Sequence, residues 1–307
     1  MKLKTFLTAV LITISYTLFA YPISPVPLRK LIMESENIVY AEVVDIKANK
    51  NRKQNDWFKS DIAVLKVYDV LQGSIRNTGT VEVYFSTEIS CPAPAHFEKG
   101  TFTLVFLHKE KMDERYYTHA LSYGSKEMNE KDYSVYKKRI LEMQNILKMK
   151  NEEEKHTKTV DWLVECTLEN ATRWEGTYEL SPESDFMSFY DEDKETFVRK
   201  FQLNDAQKRK LRTALFNQKK IDYTDLGLID IVANPDDKEL LDFLVLRFKE
   251  SYKEMFFEGD FFMNRIADLS NREDLRQILK KTKELDMFDE NYDKKNQEIL
   301  NEFVAKL

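Results

Sequence analysis

The spacing of hydrophobic residues changes near Gly124, and this change limits the fold of the chain more than any other feature. Before it, apolar residues alternate with polar ones or fill short runs rich in β-branched side chains, which is typical of strands. After it, they recur at every third or fourth residue, as on one face of an amphipathic helix. The first such stripe comprises Tyr133, Tyr136, Ile140, Met143 and Leu147. The sequence therefore predicts an α+β protein: a small five-stranded antiparallel barrel or sandwich, followed by an all-α helical bundle or a few stacked helix pairs.

Residues 1–20 have the pattern of a signal peptide. Lys2 and Lys4 form a positive start, residues 6–18 are apolar, and Ala20 is a small residue at a suitable cleavage point. We therefore expect an exported protein, secreted or periplasmic, with no membrane span once the segment is removed. An uncleaved N-terminal anchor is the alternative, because Leu18 occupies a position where cleavage favours a small residue.

The rest of the chain divides into three segments. They are a β domain over residues 21–125, a long connecting helix within residues 126–155, and a helical domain over residues 156–307. The charged stretch 151–155 marks the second boundary, although it would also suit the solvated face of a longer helix.

Local signals in the helical domain predict individual helix ends. Asn204 and Asn271 are expected to be N-caps, Gly176 to stop a helix, and residues 194–201 to form a helix. The basic run 208–210 falls in a helical pattern. We interpret it as a solvated helix face.

Two stretches define the β domain. The strand predicted over residues 38–46 is apolar on nearly both faces, which is typical of a central strand covered on both sides. A proline-punctuated loop, residues 91–99, leads through Gly100 directly into a strand over residues 101–107. The loop is therefore expected to connect directly to the strand, with no flexible residues between them.

Composition and motifs argue against several classes of protein. The net charge is −6, which disfavours nucleic acid and anionic membranes as partners. The sequence has no nucleophile elbow and no phosphate-binding glycine loop, and its four histidines lack the spacing of a zinc site. We therefore expect no metal and no cofactor, and a binding protein rather than an enzyme.

The chain has two cysteines, Cys91 and Cys166. Two separate thiols, one of them packed in the interior as a small apolar residue, are the expected state. A disulfide between the two cysteines is the alternative. It would contribute on the order of 4 kcal/mol by restricting the unfolded chain.

Several stretches of the β domain together resemble one protein family. They are Ile-Val-Tyr-Ala-Glu-Val-Val at 38–44, Ala-Val-Leu-Lys-Val-Tyr-Asp-Val-Leu-Gln-Gly at 63–73, Cys-Pro-Ala-Pro at 91–94, and Lys-Gly-Thr-Phe-Thr-Leu-Val-Phe-Leu at 99–107. In this order, after a short helix, they resemble the OB-fold domain shared by tissue inhibitors of metalloproteinases and netrin C-terminal (NTR-like) modules. The resemblance spans residues 27–125. It implies an OB-like barrel and the role of an extracellular binding module.

The chain departs from that family at the position that reaches a protease zinc. The family's inhibitors present an N-terminal cysteine held by disulfides, whereas the expected mature chain starts at Tyr21. The β domain also has no second cysteine to pair with Cys91. The resemblance therefore implies the fold and a binding role, and not protease inhibition.

These observations predict an exported, non-enzymatic binding protein whose partner is a protein or a glycan in an extracytoplasmic compartment. The residues predicted to bind are Cys91, Pro92, His96, Phe97, Arg173, Trp174 and Glu175. The alternative is an exported hydrolase with a carboxylate site around Trp174 and Glu175, because a pair of catalytic carboxylates need not be close in sequence.

Overall fold

The computed structural model describes residues 24–53, 55–76, 79–234, 236–255, 259–286 and 288–307 of the 307-residue chain. The expected signal peptide lies outside these residues. The chain divides into two compact units, one up to Asn145 and one from Ile146 onward. Among the described residues, no helix combines the length and the apolar character that crossing a bilayer requires.

Over its described residues, the first unit combines six strands with two helices. Its elements are α1 (Leu28–Glu34), β1 (Asn37–Ala48), β2 (Asp61–Gln72), β3 (Thr80–Phe85), β4 (Phe102–Lys109), β5 (Tyr116–Thr118), β6 (Ser125–Glu127) and most of α2 (Glu130–Leu147). Short 3-10 helices lie at Trp57–Lys59 and Leu121–Gly124.

Five of the strands close into a barrel in the order β1-β2-β3-β5-β4. β1 pairs with β2 on one edge and with β4 on the other, from Asn37 opposite Leu107 to Glu42 opposite Phe102. These pairings are antiparallel, whereas β3 and β5 run parallel, with Val83 opposite Tyr116. The predicted α+β class and the closed five-stranded OB-like barrel are confirmed, with one parallel pair in the ring.

β1 is buried on both faces over residues 37–43, as its apolar sequence predicts, and becomes exposed toward Ala48. Val39, Ala41 and Val43 point into the barrel core. On the outer face, Tyr40 stacks on Tyr133 of α2, with ring centroids 3.7 Å apart and an interplanar angle of 7°. The Tyr133 hydroxyl donates a hydrogen bond to Asp69 Oδ2 on β2 at 2.5 Å. α2 is therefore fixed to the outside of the barrel by its apolar stripe and by this hydrogen bond.

The loop that precedes β4 contributes to the barrel core. Ala95 and Phe97 are buried, and the Phe97 ring meets Phe85 of β3 edge to face at 5.2 Å. His96 and Glu98 alternate with them and are exposed. Residues 95–98 therefore behave as an extended segment with one face inside the barrel.

The second unit is mainly helical and includes one small sheet. Its elements are α3 (Glu152–Leu168), α4 (Arg173–Leu180), β7 (Ser188–Asp191), β8 (Thr196–Arg199), α5 (Asp205–Phe216), α6 (Leu226–Val232), α7 (Lys238–Ser251), α8 (Gly259–Ser270), α9 (Glu273–Lys283) and α10 (Tyr292–Lys306). Asn151 caps α3, so the charged residues that follow it form the first turn of a new helix. Asn204 caps α5 in a capping box, which confirms that prediction. The prediction for Asn271 is wrong, because Arg272 is the N-cap residue of α9.

The helix predicted over residues 194–201 is wrong. Residues Thr196–Arg199 form β8, which pairs with β7 and places Phe197 opposite Tyr190. Thr196, Phe197 and Val198 are β-branched or aromatic, and this preference for extended backbone outweighs the charged residues before them.

Gly176 does not stop a helix, because it lies in the middle of α4. A Cβ atom at this position would lie 2.5 Å from the Leu163 carbonyl oxygen and 2.6 Å from the Thr167 nitrogen, both on α3. The glycine therefore allows the backbones of α3 and α4 to approach closely.

We expect Phe97→Ala to destabilise the barrel by about 3–5 kcal/mol, because it leaves a cavity in the core where the ring now packs. The neighbouring His96→Ala is the matched control. It removes an exposed side chain of the same loop and is expected to change the free energy of unfolding by no more than about 0.5 kcal/mol. Urea unfolding followed by circular dichroism measures both. Equal effects of the two substitutions would contradict the inward position of Phe97.

Candidate functional site

The binding residues predicted on the loop before β4 differ in their exposure to solvent. Cys91 and His96 are exposed, and Pro92 follows a cis peptide bond and is half-buried. Phe97, by contrast, is only 4% exposed and belongs to the core. The prediction that Phe97 binds a partner is therefore corrected, because the alternation along the loop turns its ring inward.

The two cysteines also lie in different surroundings. Cys91 is exposed in the first unit, whereas Cys166 is fully buried on α3 in the second. Neither takes part in a disulfide. Cys166 thus occupies the interior as a small apolar residue.

Arg173 is a structural residue of the second unit. Its side chain is 2% exposed, and its Nη1 donates to Asp225 Oδ1 at 2.7 Å. Nη2 donates to Asn170 Oδ1 at 2.6 Å, and Nε donates to the Thr167 carbonyl oxygen at 3.3 Å. Burial raises the pKa of Asp225, and the Arg173 guanidinium opposes that rise. Arg173 therefore joins four segments of the fold and is not accessible to a partner, which corrects the binding prediction for this residue.

Glu175 is equally inaccessible. Its exposed fraction is 1%, whereas the neighbouring Trp174 is half-buried and stacks on Tyr178 with ring centroids 5.2 Å apart. A hydrolytic carboxylate must meet both its substrate and a water molecule. This geometry gives the hydrolase alternative no support at Glu175, and it corrects the prediction that Glu175 contacts a partner.

Two loops at the β2–β3 side of the barrel carry large apolar side chains in solvent. The loop between β1 and β2, residues 49–60, exposes Trp57 by 54% and Phe58 by 43%. The loop between β4 and β5, residues 110–115, exposes Met112 by 87%. An ion pair between Lys59 Nζ and Glu110 Oε2, at 2.5 Å, joins the two loops. We call these loops, together with the outward side chains of β3, the two-loop surface.

A paired set of charges lies beside the loops on β3. Glu82 accepts hydrogen bonds from Lys47 Nζ at 2.5 Å and from Arg115 Nε at 2.6 Å. The Tyr84 hydroxyl accepts from Arg115 Nη1 at 2.9 Å and donates to Asp113 Oδ2 at 2.6 Å. The hydrogen bonds from Lys47 and then Arg115 lower the pKa of Glu82 below its ordinary value. The surface thus has fixed donors and acceptors and little local excess of either charge.

Sequence reasoning missed this surface. Trp57 and Phe58 stand in a segment that is otherwise rich in Lys, Asn, Arg and Asp, and this composition by itself predicts only an exposed hairpin loop. Two adjacent aromatic residues within a polar loop were the available signal. The role of residues 110–115 could not be found in this way, because it depends on the pairing of β5 with β3.

A second cluster on the barrel is a row of four titratable side chains. His119 Nε2 lies 3.0 Å from Glu34 Oε2, His119 Nδ1 lies 2.9 Å from His108 Nε2, and His108 Nδ1 lies 3.4 Å from Glu36 Oε1. When His119 is neutral, its Nε2–H donates to Glu34, and its Nδ1 accepts from His108. Because His108 Nδ1 also faces Glu36, the contact between His108 Nε2 and His119 Nδ1 accommodates one proton, and a proton on both of these nitrogens would place two N–H groups against each other at 2.9 Å.

The electrostatics of this row agree with its geometry. Burial lowers the pKa of His119 below 6.5, the charge of His108 lowers it further, and Glu34 opposes the change. The hydrogen bond from the Lys109 backbone, followed by the one from His108, lowers the pKa of Glu36. Among the described residues, no group of three or more His, Cys, Asp or Glu side chains is placed to hold a metal ion. The row is therefore a proton-sharing pair of imidazoles between two carboxylates.

Comparisons with known proteins do not place the chain in a family. No protein-family description matches it, and no curated protein matches its sequence significantly.

The His119 environment predicts a pH dependence of stability. Because the pKa of His119 is lower in the folded protein, the unfolded chain binds more protons below about pH 6.5, and the free energy of unfolding decreases as the pH falls. We expect His119→Gln to reduce this decrease between pH 7.5 and 5.5, since glutamine keeps a donor and an acceptor but does not titrate. Urea unfolding at several pH values measures it.

The exposed His96→Gln is the matched control, and it should leave the pH dependence unchanged. A pH dependence that is the same in wild type and His119→Gln would contradict the arrangement of the row.

Proposed function

We propose that the protein is an exported, non-enzymatic binding protein and that the barrel carries its binding surface. Export is proposed from the signal-peptide pattern of residues 1–20. We also propose that residues 27–125 are related to the OB-fold domain of tissue inhibitors of metalloproteinases and netrin modules. The order of the strands, the helix before them and the stretches around Cys91 support it.

The observation that carries the proposal is the two-loop surface. Large apolar side chains in solvent are unfavourable for an isolated protein, and contiguous groups of them mark interaction sites. Here Trp57, Phe58 and Met112 stand exposed on two loops that the Lys59–Glu110 ion pair joins. OB-type barrels use the corresponding loops and the β2–β3 face to bind extended ligands. This last point is an analogy of fold, and the exposed side chains are the independent support.

The charges of the surface favour a protein or a glycan as the partner. Lys59 and Arg115 are each paired with a carboxylate at 2.5–2.6 Å, and the two loops with β3 contain six Lys and Arg residues against five Asp and Glu residues, so the surface offers little net positive charge for a phosphate backbone. Aromatic rings beside fixed polar groups suit both the faces of sugar rings and the apolar side chains of a protein.

We expect Trp57→Ser combined with Met112→Ser to weaken binding of the partner by about tenfold or more, since truncation of central apolar contacts is costly at interfaces. Both side chains are exposed, so the fold should persist. The test is affinity capture with the full chain from the envelope and the medium of the cells that produce it, alongside sedimentation with insoluble polysaccharides. The two arms distinguish a protein partner from a glycan.

The matched control is Phe261→Ser, which removes a 61% exposed aromatic side chain from α8 in the other unit. It should bind as the wild type does. Equal capture by the double variant and the wild type, or no reproducible partner in either arm, would contradict the proposal.

A further inference from the structure

The second unit contains a cavity of about 440 Å³ between the start of α5, the end of α6 and the segment after β8. Its volume lies within the range of roughly 300–1,000 Å³ that is common for small-molecule sites. The buried side chains of Leu180, Met187 and Val232 form an apolar floor. The cavity therefore offers a place where the apolar part of a small ligand can be removed from water.

The rim of the cavity is basic on the side of α5. Asp205, Lys208, Arg209 and Arg212 are spaced as i, i+3, i+4 and i+7, so they share one face of the helix, and all four line the cavity. Arg199, at the end of β8, lines it as well. The residues of the basic run 208–210, which the sequence predicts to be a solvated helix face, have different surroundings. Lys208 and Arg209 line the cavity, whereas Lys210 pairs with Glu165.

Most of the acidic groups near the cavity are already engaged. Arg212 donates to both oxygens of Asp237, at 2.6 and 2.8 Å, and to Glu239 at 2.8 Å. The hydrogen bond from Arg212 lowers the pKa of Asp237 to about 2, so this pair stays charged at neutral pH. Asp230 is paired with Arg265.

Arg199, Lys208 and Arg209 differ from the other cations. No salt bridge or side-chain hydrogen bond engages any of them within the part of the chain that the structure describes. Among the described residues that line the cavity, Asp205 is the one carboxylate left to balance them. Three cations against one carboxylate leave the rim with an excess of positive charge, in a protein whose net charge is −6.

We propose that this cavity is a binding site for a small amphipathic anion, with the apolar body on the floor of Leu180, Met187 and Val232 and the anionic group between Arg199, Lys208 and Arg209. Guanidinium and ammonium groups form charge-assisted hydrogen bonds with carboxylates, sulfonates and phosphates, and arginine does so with two donors at once. The apolar floor selects against inorganic anions. The site lies in the helical unit and does not depend on the binding role proposed for the barrel.

The test uses the full chain and the fluorescent probe 8-anilinonaphthalene-1-sulfonate, which has an aromatic body and one sulfonate. Competition is measured with decanoate, decyltrimethylammonium and inorganic phosphate. We expect saturable binding of the probe, displacement by decanoate, no specific displacement by the cationic amphiphile, and phosphate at least about tenfold weaker than decanoate, because phosphate lacks an apolar body.

Lys208→Glu combined with Arg209→Glu should weaken probe binding by about tenfold or more, because two attractive charges become repulsive. Both residues are exposed and lie near the start of α5, where acidic residues are tolerated, so the variant should fold. The control is Lys219→Glu combined with Lys283→Glu, which changes the net charge equally at exposed positions away from the cavity lining. Its affinity should equal that of the wild type.

Three results would overturn the proposal. They are equal probe affinity in the Lys208→Glu, Arg209→Glu variant and in wild type, competition by decyltrimethylammonium as strong as by decanoate, and competition by phosphate as strong as by decanoate.

Discussion

The burial of β1 on every side is the constraint on which the barrel depends. Its two edges are hydrogen-bonded to β2 and β4, its inner face supplies Val39, Ala41 and Val43 to the core, and its outer face lies under α2 through Tyr40. Since unpaired backbone groups and exposed apolar side chains are both unfavourable, the strand has one stable position, between two strands and two apolar layers. The parallel contact between β3 and β5 then closes the ring and brings the loop 110–115 beside β3.

This arrangement decides which part of the barrel is left for binding. The outer faces of β1 and β4 are occupied, as the full burial of Ile38, Leu104 and Phe106 shows. The loop before β4 has turned Phe97 inward, so its side chain stabilises the fold. The two-loop surface carries the most exposed of the barrel's apolar side chains that stay in solvent, and its position follows from barrel closure; Tyr68 and Phe102 form a second, less exposed pair. The helical unit contributes a different kind of site, a cavity lined by residues of α4, α5 and α6 and of the segments around the small sheet.

The sequence predicted those features that depend on local pattern. The two apolar faces of residues 38–46 indicated a covered central strand, and Asn204 indicated a helix start. Features that depend on residues distant in sequence were missed. The sequence around Gly176 predicts a helix end, whereas the glycine is needed for the close approach of α3, and nothing near Arg173 in the sequence indicates that it pairs with Asp225. Residues 108 and 119 meet because β4 pairs with β5, and no spacing in the sequence announces that contact. Phe97 is an intermediate case, since the alternation of Ala95, His96, Phe97 and Glu98 was visible but was interpreted as a loop.

Residue-resolved hydrogen exchange of the backbone amides of β1, measured by NMR on the full chain, tests the central claim most directly. A strand bonded on both edges protects consecutive amides, and a strand at the edge of an open sheet protects only every second one. The account predicts slow exchange at each amide from Val39 to Val43. Slow exchange at alternate residues of this stretch only would show that β1 has a free edge, and the closed barrel with the surfaces derived from it would then be wrong.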